Sequence, residues 1–192
     1  MTFILTILSG MFVTNLLLYK LDGVTFYTQE EKIEHVFLKG IKIAFVTVVT
    51  VLLVYPINHF ILDKIDMTYL VPIFVIVGIY GINYLIDIIF KKTDIKVFKI
   101  YSIKHFVFLN SVAFISAIVG AFESDILTGV AISLGLTLGH LLLMLLVLTI
   151  LPKVTLPNLP KSFKGVPAMI IMMSLIAMAF MGLAGLLWDL KK

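Results

Sequence analysis

Cysteine is absent from this chain, and so is arginine. Without a thiol it forms no disulfide, holds no zinc or copper through thiolate and ligates no iron–sulfur cluster by itself. Charge is scarce as well, on 14% of residues, against about 25% in soluble globular domains. A net charge of +4 is no sign of a nucleic-acid surface here, because the lysines lie between apolar runs and read as membrane-surface charge. There is no glycine-rich phosphate loop, no nucleophile elbow and no His-Glu zinc spacing, which excludes the common hydrolase and kinase chemistries. Strand-length alternation of apolar and polar residues is also missing, so a membrane β-barrel has no place here.

What fills the chain instead is hydrocarbon, with 61% of its 192 residues hydrophobic and a mean hydropathy of +1.14. A helix needs about 20 apolar residues to cross roughly 30 Å of lipid. The stretches Thr2–Leu21, Leu38–Leu62, Met67–Phe90, Ile100–Phe122, Ile126–Leu151 and Val166–Trp188 meet that requirement. The first has no basic leader and no small-x-small cleavage site before Asp22, so it is expected to stay as a helix. Between the first two runs, Thr28 followed by Glu31 has the spacing of a capping box, which predicts a short surface helix before the second span. The predicted fold is an all-α integral membrane bundle of six transmembrane helices in a single domain, residues 1–192.

Lysine decides the orientation. With six spans, one side collects Lys20, Lys32, Lys39, Lys42, Lys91, Lys92, Lys96, Lys99, Lys104, Lys153, Lys161 and Lys164; the other has Lys64, Lys191 and Lys192. Twelve against three accounts for all 15 basic residues, and the positive-inside rule then puts both termini outside.

Polar residues within apolar spans are costly in lipid, so they face protein or water. Asn15 in the first span and Asn110 in the fourth sit at similar depth. Each begins a group of three helices, and because three is odd the two groups run oppositely through the membrane. This arrangement fits inverted repeats, residues 1–92 and 93–192, with helices 1 and 4 broken near Gly23 and Asn110 where they meet. The simpler reading gives each asparagine an interhelical hydrogen bond. Asp87 stands one turn before Lys91, as an edge ion pair or as a carboxylate on an ion path. His140 follows Gly129, Gly135 and Gly139 in the fifth span; the glycines read as close-packing positions, and the histidine as a buried hydrogen-bonding group or a proton relay. The methionines of "PAMIIMMSLIAMAFMG" read as lipid-facing or core filler.

Several motifs in order resemble one family. "VTNLLLYKLDGVTF" at the first helix, "YPINHFIL" (Tyr55–Leu62), "NYLIDIIFKKT" with its Asp87, "LNSVAF", and the final "PKSFKG" followed by "MSLIAMAFMGLAGL" are similar to the Rnf A-type chain. The wider group is the Rnf A/E and Nqr D/E family of membrane oxidoreductase subunits. The resemblance implies six-helix inverted-repeat subunits that pair with a homologous six-helix subunit of opposite topology. They sit beside flavin and iron–sulfur subunits in the cell's inner (cytoplasmic) membrane and support electron transfer coupled to Na+ or H+ movement. The chain itself would be a non-catalytic subunit, with small residues of helices 5 and 6, including Gly182, Ala184 and Gly185, as close contacts to its partner.

The resemblance also implies one cysteine in each of helices 1 and 4, which with two from the partner hold a [2Fe–2S] cluster. Those positions are Thr25 and Ser111 here, or Val112 if the alignment slips by one. A neutral hydroxyl is a poor ligand for such a cluster, so this chain is expected to bind none alone. Two other functions remain open: a cysteine-less scaffold paralogue in another assembly, and a stand-alone secondary transporter.

Overall fold

The computed structural model describes residues 2–13, 33–91, 111–154, 160, 163 and 166–189. Among them there is helix and turn but no strand. Helix α1 (Thr2–Leu8) continues as a π-turn, Ser9–Val13. Helix α2 (Ile33–Ile57) runs through Pro56 into a π-turn, Asn58–Leu62, and a 3-10 turn, Asp63–Ile65. A 3-10 turn at Thr68–Leu70 opens α3 (Val71–Lys91), and α4 (Ser111–Ala121), α5 (Ile126–Val154) and α6 (Val166–Asp189) follow. Among the described residues three stretches, Val36–Ile65, Thr68–Ile86 and Ile126–Ile150, are long and apolar enough to cross a membrane.

Much of α2 is "IAFVTVVTVLLV", a β-branched run that would favour a strand in water. In lipid no solvent satisfies a peptide group, so the run closes its hydrogen bonds within itself as helix. From Ile33 onward α2 is a single uninterrupted helix, and the start of the surface helix expected before the second span lies outside the described residues. The cap residues Thr28 and Glu31, the breaks expected at Gly23 and Asn110, and the positions Asn15 and Thr25 lie outside the described residues.

The core is built where α2, α3 and α4 meet, around Val46, Val51, Val75, Ile79, Ala113 and Ala117. Helix α5 closes on α4 through Leu136 and Val112, and on α6 through Leu143, Val147, Met172 and Met173. These methionines are core filler, whereas Met178 is exposed. Lipid offers little hydrophobic contrast, so close van der Waals contact must hold the helices, and small residues mark where it does. A β-carbon on Gly120 would run into Ser133 Oγ and the Gly129 carbonyl, and one on Gly129 into the Gly120 carbonyl. Gly135 likewise abuts the Ile7 carbonyl of α1, and Gly40 of α2 abuts Leu141. The packing role expected of Gly129 and Gly135 is therefore borne out.

These contacts also give the helix directions. Gly40, early in α2, meets Leu141, late in α5, while Val51, later in α2, meets Gly120 opposite the start of α5. Helices α2 and α5 are thus antiparallel, and Lys39 and Lys42 share an end with the C-terminal part of α5. The opposite end carries Asp63, Asp66, Glu123 and Asp125 in its turns.

The α2–α3 turn at that carboxylate end is a Schellman closure. Met67 N–H donates to the Leu62 carbonyl at 2.9 Å, and Asp66 N–H to the Asp63 carbonyl at 3.4 Å. Asp66 sits in the left-handed region at φ 53°, where glycine or asparagine is usual. Asp66→Gly is expected to raise stability in detergent by about 0.5–1 kcal/mol, since it removes the β-carbon strain and restores some chain entropy as a smaller cost. Thermal unfolding checks this, and a lower midpoint would mean that the aspartate side chain makes a compensating contact.

Candidate functional site

Polar groups line the interior of the bundle. On α2, Thr47 and Thr50 are fully buried, and their hydroxyls donate back to the Ile43 and Val46 carbonyls, each at 2.8 Å. Returning a threonine hydroxyl to its own helix is the ordinary way to bury it in lipid. On α5, Ser133 Oγ lies 2.8 Å from the Gly129 carbonyl and 2.9 Å from that of Ser116 on α4, so it tethers two helices. Thr137 Oγ1 follows, 2.9 Å from the Ser133 carbonyl, and then His140, only 2% exposed. Gly129, Ser133, Thr137 and His140 are three or four residues apart and form one buried stripe along α5. Ser116 faces it from α4 with a buried hydroxyl that has no hydrogen-bond partner. The amide oxygen of Asn83 on α3 is likewise buried and unpartnered.

At the carboxylate end this interior is closed by the last turns of α2. Tyr55 OH donates to the Ser124 carbonyl at 3.1 Å, and Asn58 Nδ2 to the Ala121 carbonyl at 2.9 Å. The second bond caps the last turn of α4, whose terminal carbonyls have no partner within the helix. Tyr55 also stacks on His59, with ring centroids 4.2 Å apart and planes 20° apart. Across the turn Asp125 caps α5, its Oδ2 accepting from Thr128 N–H at 3.3 Å. In the sequence "YPINHFIL" stands out only for its likeness to a family. The single local signal of a clamp is an amide that follows a proline at the end of an apolar helix.

Of the positions singled out in the sequence, Ser111 is the first residue of α4 and is half-buried. His140 is inside, as expected of a buried histidine. Asp87 lies in the last turns of α3, and its side chain lies outside the described residues, as does all of Asn110. No group of three or more His, Cys, Asp or Glu among the described residues is placed to hold a metal ion. The donor set decides the fit of an iron–sulfur cluster: Ser111 offers a neutral hydroxyl and the chain has no thiol anywhere. Iron–sulfur clusters are held by thiolate, and in some cases imidazole. These residues do not fit one.

No protein-family model matches the chain. Individual relatives do, along almost its whole length. It is 30% identical over 192 aligned positions to the A subunit of the ion-translocating oxidoreductase complex of Buchnera aphidicola subsp. Schizaphis graminum, covering 94% of this chain and 95% of the relative. The chain belongs to the A-subunit family of ion-translocating, Rnf-type oxidoreductase complexes. A second member is the A subunit of the Na(+)-translocating ferredoxin:NAD(+) oxidoreductase complex of Acetobacterium woodii, 26% identical with 97% of this chain and 98% of the relative covered. The corresponding A subunit of an Azoarcus species is 27% identical with 95% and 96% covered. In this A-type chain the two positions likened to cluster ligands are occupied by hydroxyl residues.

Proposed function

We propose that this chain is the A-type membrane component of an Rnf-type complex, which couples electron transfer to the movement of Na+ or H+, and that it contributes helix scaffold and ion route rather than cluster ligands. The observation that carries this reading is the full-length relation to A-type chains of such complexes. The topology goes with it: six spans as two inverted repeats, both termini outside the cytoplasmic membrane, and a homologous six-helix partner of opposite topology. Three features support this topology. The lysines divide twelve against three. The described lysines and carboxylates lie mostly at opposite ends of the bundle. Helix α1 packs on α5, and α4 on α2, in a crosswise pattern around the antiparallel α2–α5 pair. Asp87 and His140 belong to the proposed ion route, and Asn15 and Asn110 to the midplane where helices 1 and 4 meet.

The absent thiols favour a second reading, a scaffold paralogue that keeps the family fold but transfers no electron. Co-purification separates the two. Flavin- and iron–sulfur-bearing chains, together with a homologous six-helix partner, are expected with the A-type role, and an assembly of unrelated membrane proteins with the scaffold role. For topology, a membrane-impermeant amine reagent applied outside is expected to modify Lys64 and the terminal pair Lys191 and Lys192, and to spare Lys91 to Lys99. Modification of Lys91 to Lys99 from outside would overturn the assigned orientation.

A further inference from the structure

The outer turn of α2 combines features that a purely structural cap does not need. Pro56 has no N–H to give the carbonyl four residues back, so the helix is weakened at that point. The following turn, Asn58–Leu62, is π-helical, a conformation that is rare and concentrated at functional positions. Two bonds cross from this weakened segment, Tyr55 to Ser124 and Asn58 to Ala121, and both end on main-chain carbonyls. Among the described residues they tie the first proposed repeat to the second at this end. Motion of this end of α2 away from the end of α4 has to break them.

The ties are incompletely satisfied. Asn58 is 3% exposed, and its Oδ1 has no partner although its Nδ2 does; His59 Nδ1 is buried without one as well. Buried polar atoms without partners favour any state in which water reaches them, and this opposes the two closing bonds.

Behind the closure lies the stripe on α5. Helix α4 is held against it from one side by Val51 and Asn58 of α2, and the backbones of Gly120 and Gly129 touch where it begins. Just past that contact stand Ser116, whose hydroxyl has no partner, Ser133 and Thr137. Ser133 and Thr137 already donate their O–H groups to carbonyls, so their oxygens present lone pairs suited to a partly dehydrated monovalent cation or a proton-bearing water.

We propose that Tyr55 and Asn58, on either side of the weak point at Pro56, form an outer latch on the end of α4, and that its release frees that end and opens the seam between α4 and α5 to the outer side for a monovalent cation. This rests on the ion-translocating role proposed above, but its structural half is tested separately.

The absence of native cysteine makes the test clean. Ser116→Cys reports on the seam, since Ser116 is fully buried. In right-side-out membrane vesicles containing the assembled complex, a charged thiol reagent added outside is expected to leave Ser116→Cys unmodified. Adding Asn58→Ala or Tyr55→Phe is expected to raise its modification rate about tenfold, the factor that accompanies loss of one ordinary hydrogen bond. Val147→Cys, in the α5–α6 cluster, serves as the folding control and stays unreactive throughout. Tyr55→Phe removes only a hydroxyl, so its result stands even where Asn58→Ala disturbs the fold. A Ser116→Cys that reacts equally in latched and unlatched chains, or in neither, overturns the latch. In the second arm, Asn58→Cys with Ala121→Cys is bridged by a bifunctional thiol reagent. Bridging is expected to stop Na+ uptake, or proton uptake where a protonophore but not sodium removal abolishes transport, and cleavage of the bridge to restore it. Transport that continues through the bridged protein overturns the cation seam and leaves the family role of the chain intact.

Discussion

Purified with a homologous partner that supplies two cysteines, this chain is expected to yield no [2Fe–2S] absorbance, and the double substitution Thr25→Cys with Ser111→Cys to create it, adding about two iron atoms per pair. The motive is chemical. Serine and threonine approach cysteine in volume, so a helix carrying them packs in much the same way. A neutral hydroxyl, however, is a hard and poorly donating ligand for iron that favours thiolate. Ser111 stands at the first turn of α4, half-buried, where a replacement thiol would be partly shielded from water. Iron content and visible absorbance, before and after the double change, make the measurement. A full cluster spectrum in the unmodified complex that disappears on Ser111→Ala would show that the hydroxyls do ligate, and the proposed loss of the cluster would fall.

The second large effect concerns packing. Gly120→Leu is expected to abolish the folded protein in membrane extracts, and Gly129→Ala to cost about 1–3 kcal/mol, the range for overpacking a closely fitted interior. A β-carbon on Gly129 meets the Gly120 carbonyl, which is backbone and cannot rotate away, and one on Gly120 meets Ser133 Oγ and the Gly129 carbonyl. The comparison positions are Gly81 and Gly182, where an added β-carbon has no neighbour within 4 Å. Alanine there is expected to be neutral or to stabilise by up to about 1 kcal/mol through helix propensity. Thermal stability by size-exclusion chromatography in detergent separates the two classes. Equal losses at Gly129 and Gly182 would mean that the α4–α5 crossing is not closely packed.

Gly182 is exposed and open on α6. That small residue and Gly129 look alike in the sequence; only the fold separates one buried against a neighbouring backbone from one left facing outward. The same holds for the polar residues. Asn58, Ser116 and Thr137 are scattered through apolar runs, and nothing in their spacing marks them as site residues. The structure gathers Ser116 and Thr137 on one seam and puts Asn58 at its carboxylate end.

Composition alone was enough to assign the chain to lipid. The lengths of its apolar runs were enough to predict helix, as the described residues show, because a backbone in hydrocarbon has little choice but helix. Lysine placement was enough to predict an orientation, and the missing thiols to predict that this chain holds no cluster alone. Which face of each helix points inward was not legible. These helices are apolar nearly all round, and with lipid on one side and packed side chains on the other there is no polarity contrast to mark the inner face. The clamp of Tyr55 and Asn58 on the end of α4, the backbone contact of Gly120 with Gly129 and the left-handed turn at Asp66 were settled only in three dimensions, because each depends on groups distant in sequence or on a chain reversal with no glycine to announce it.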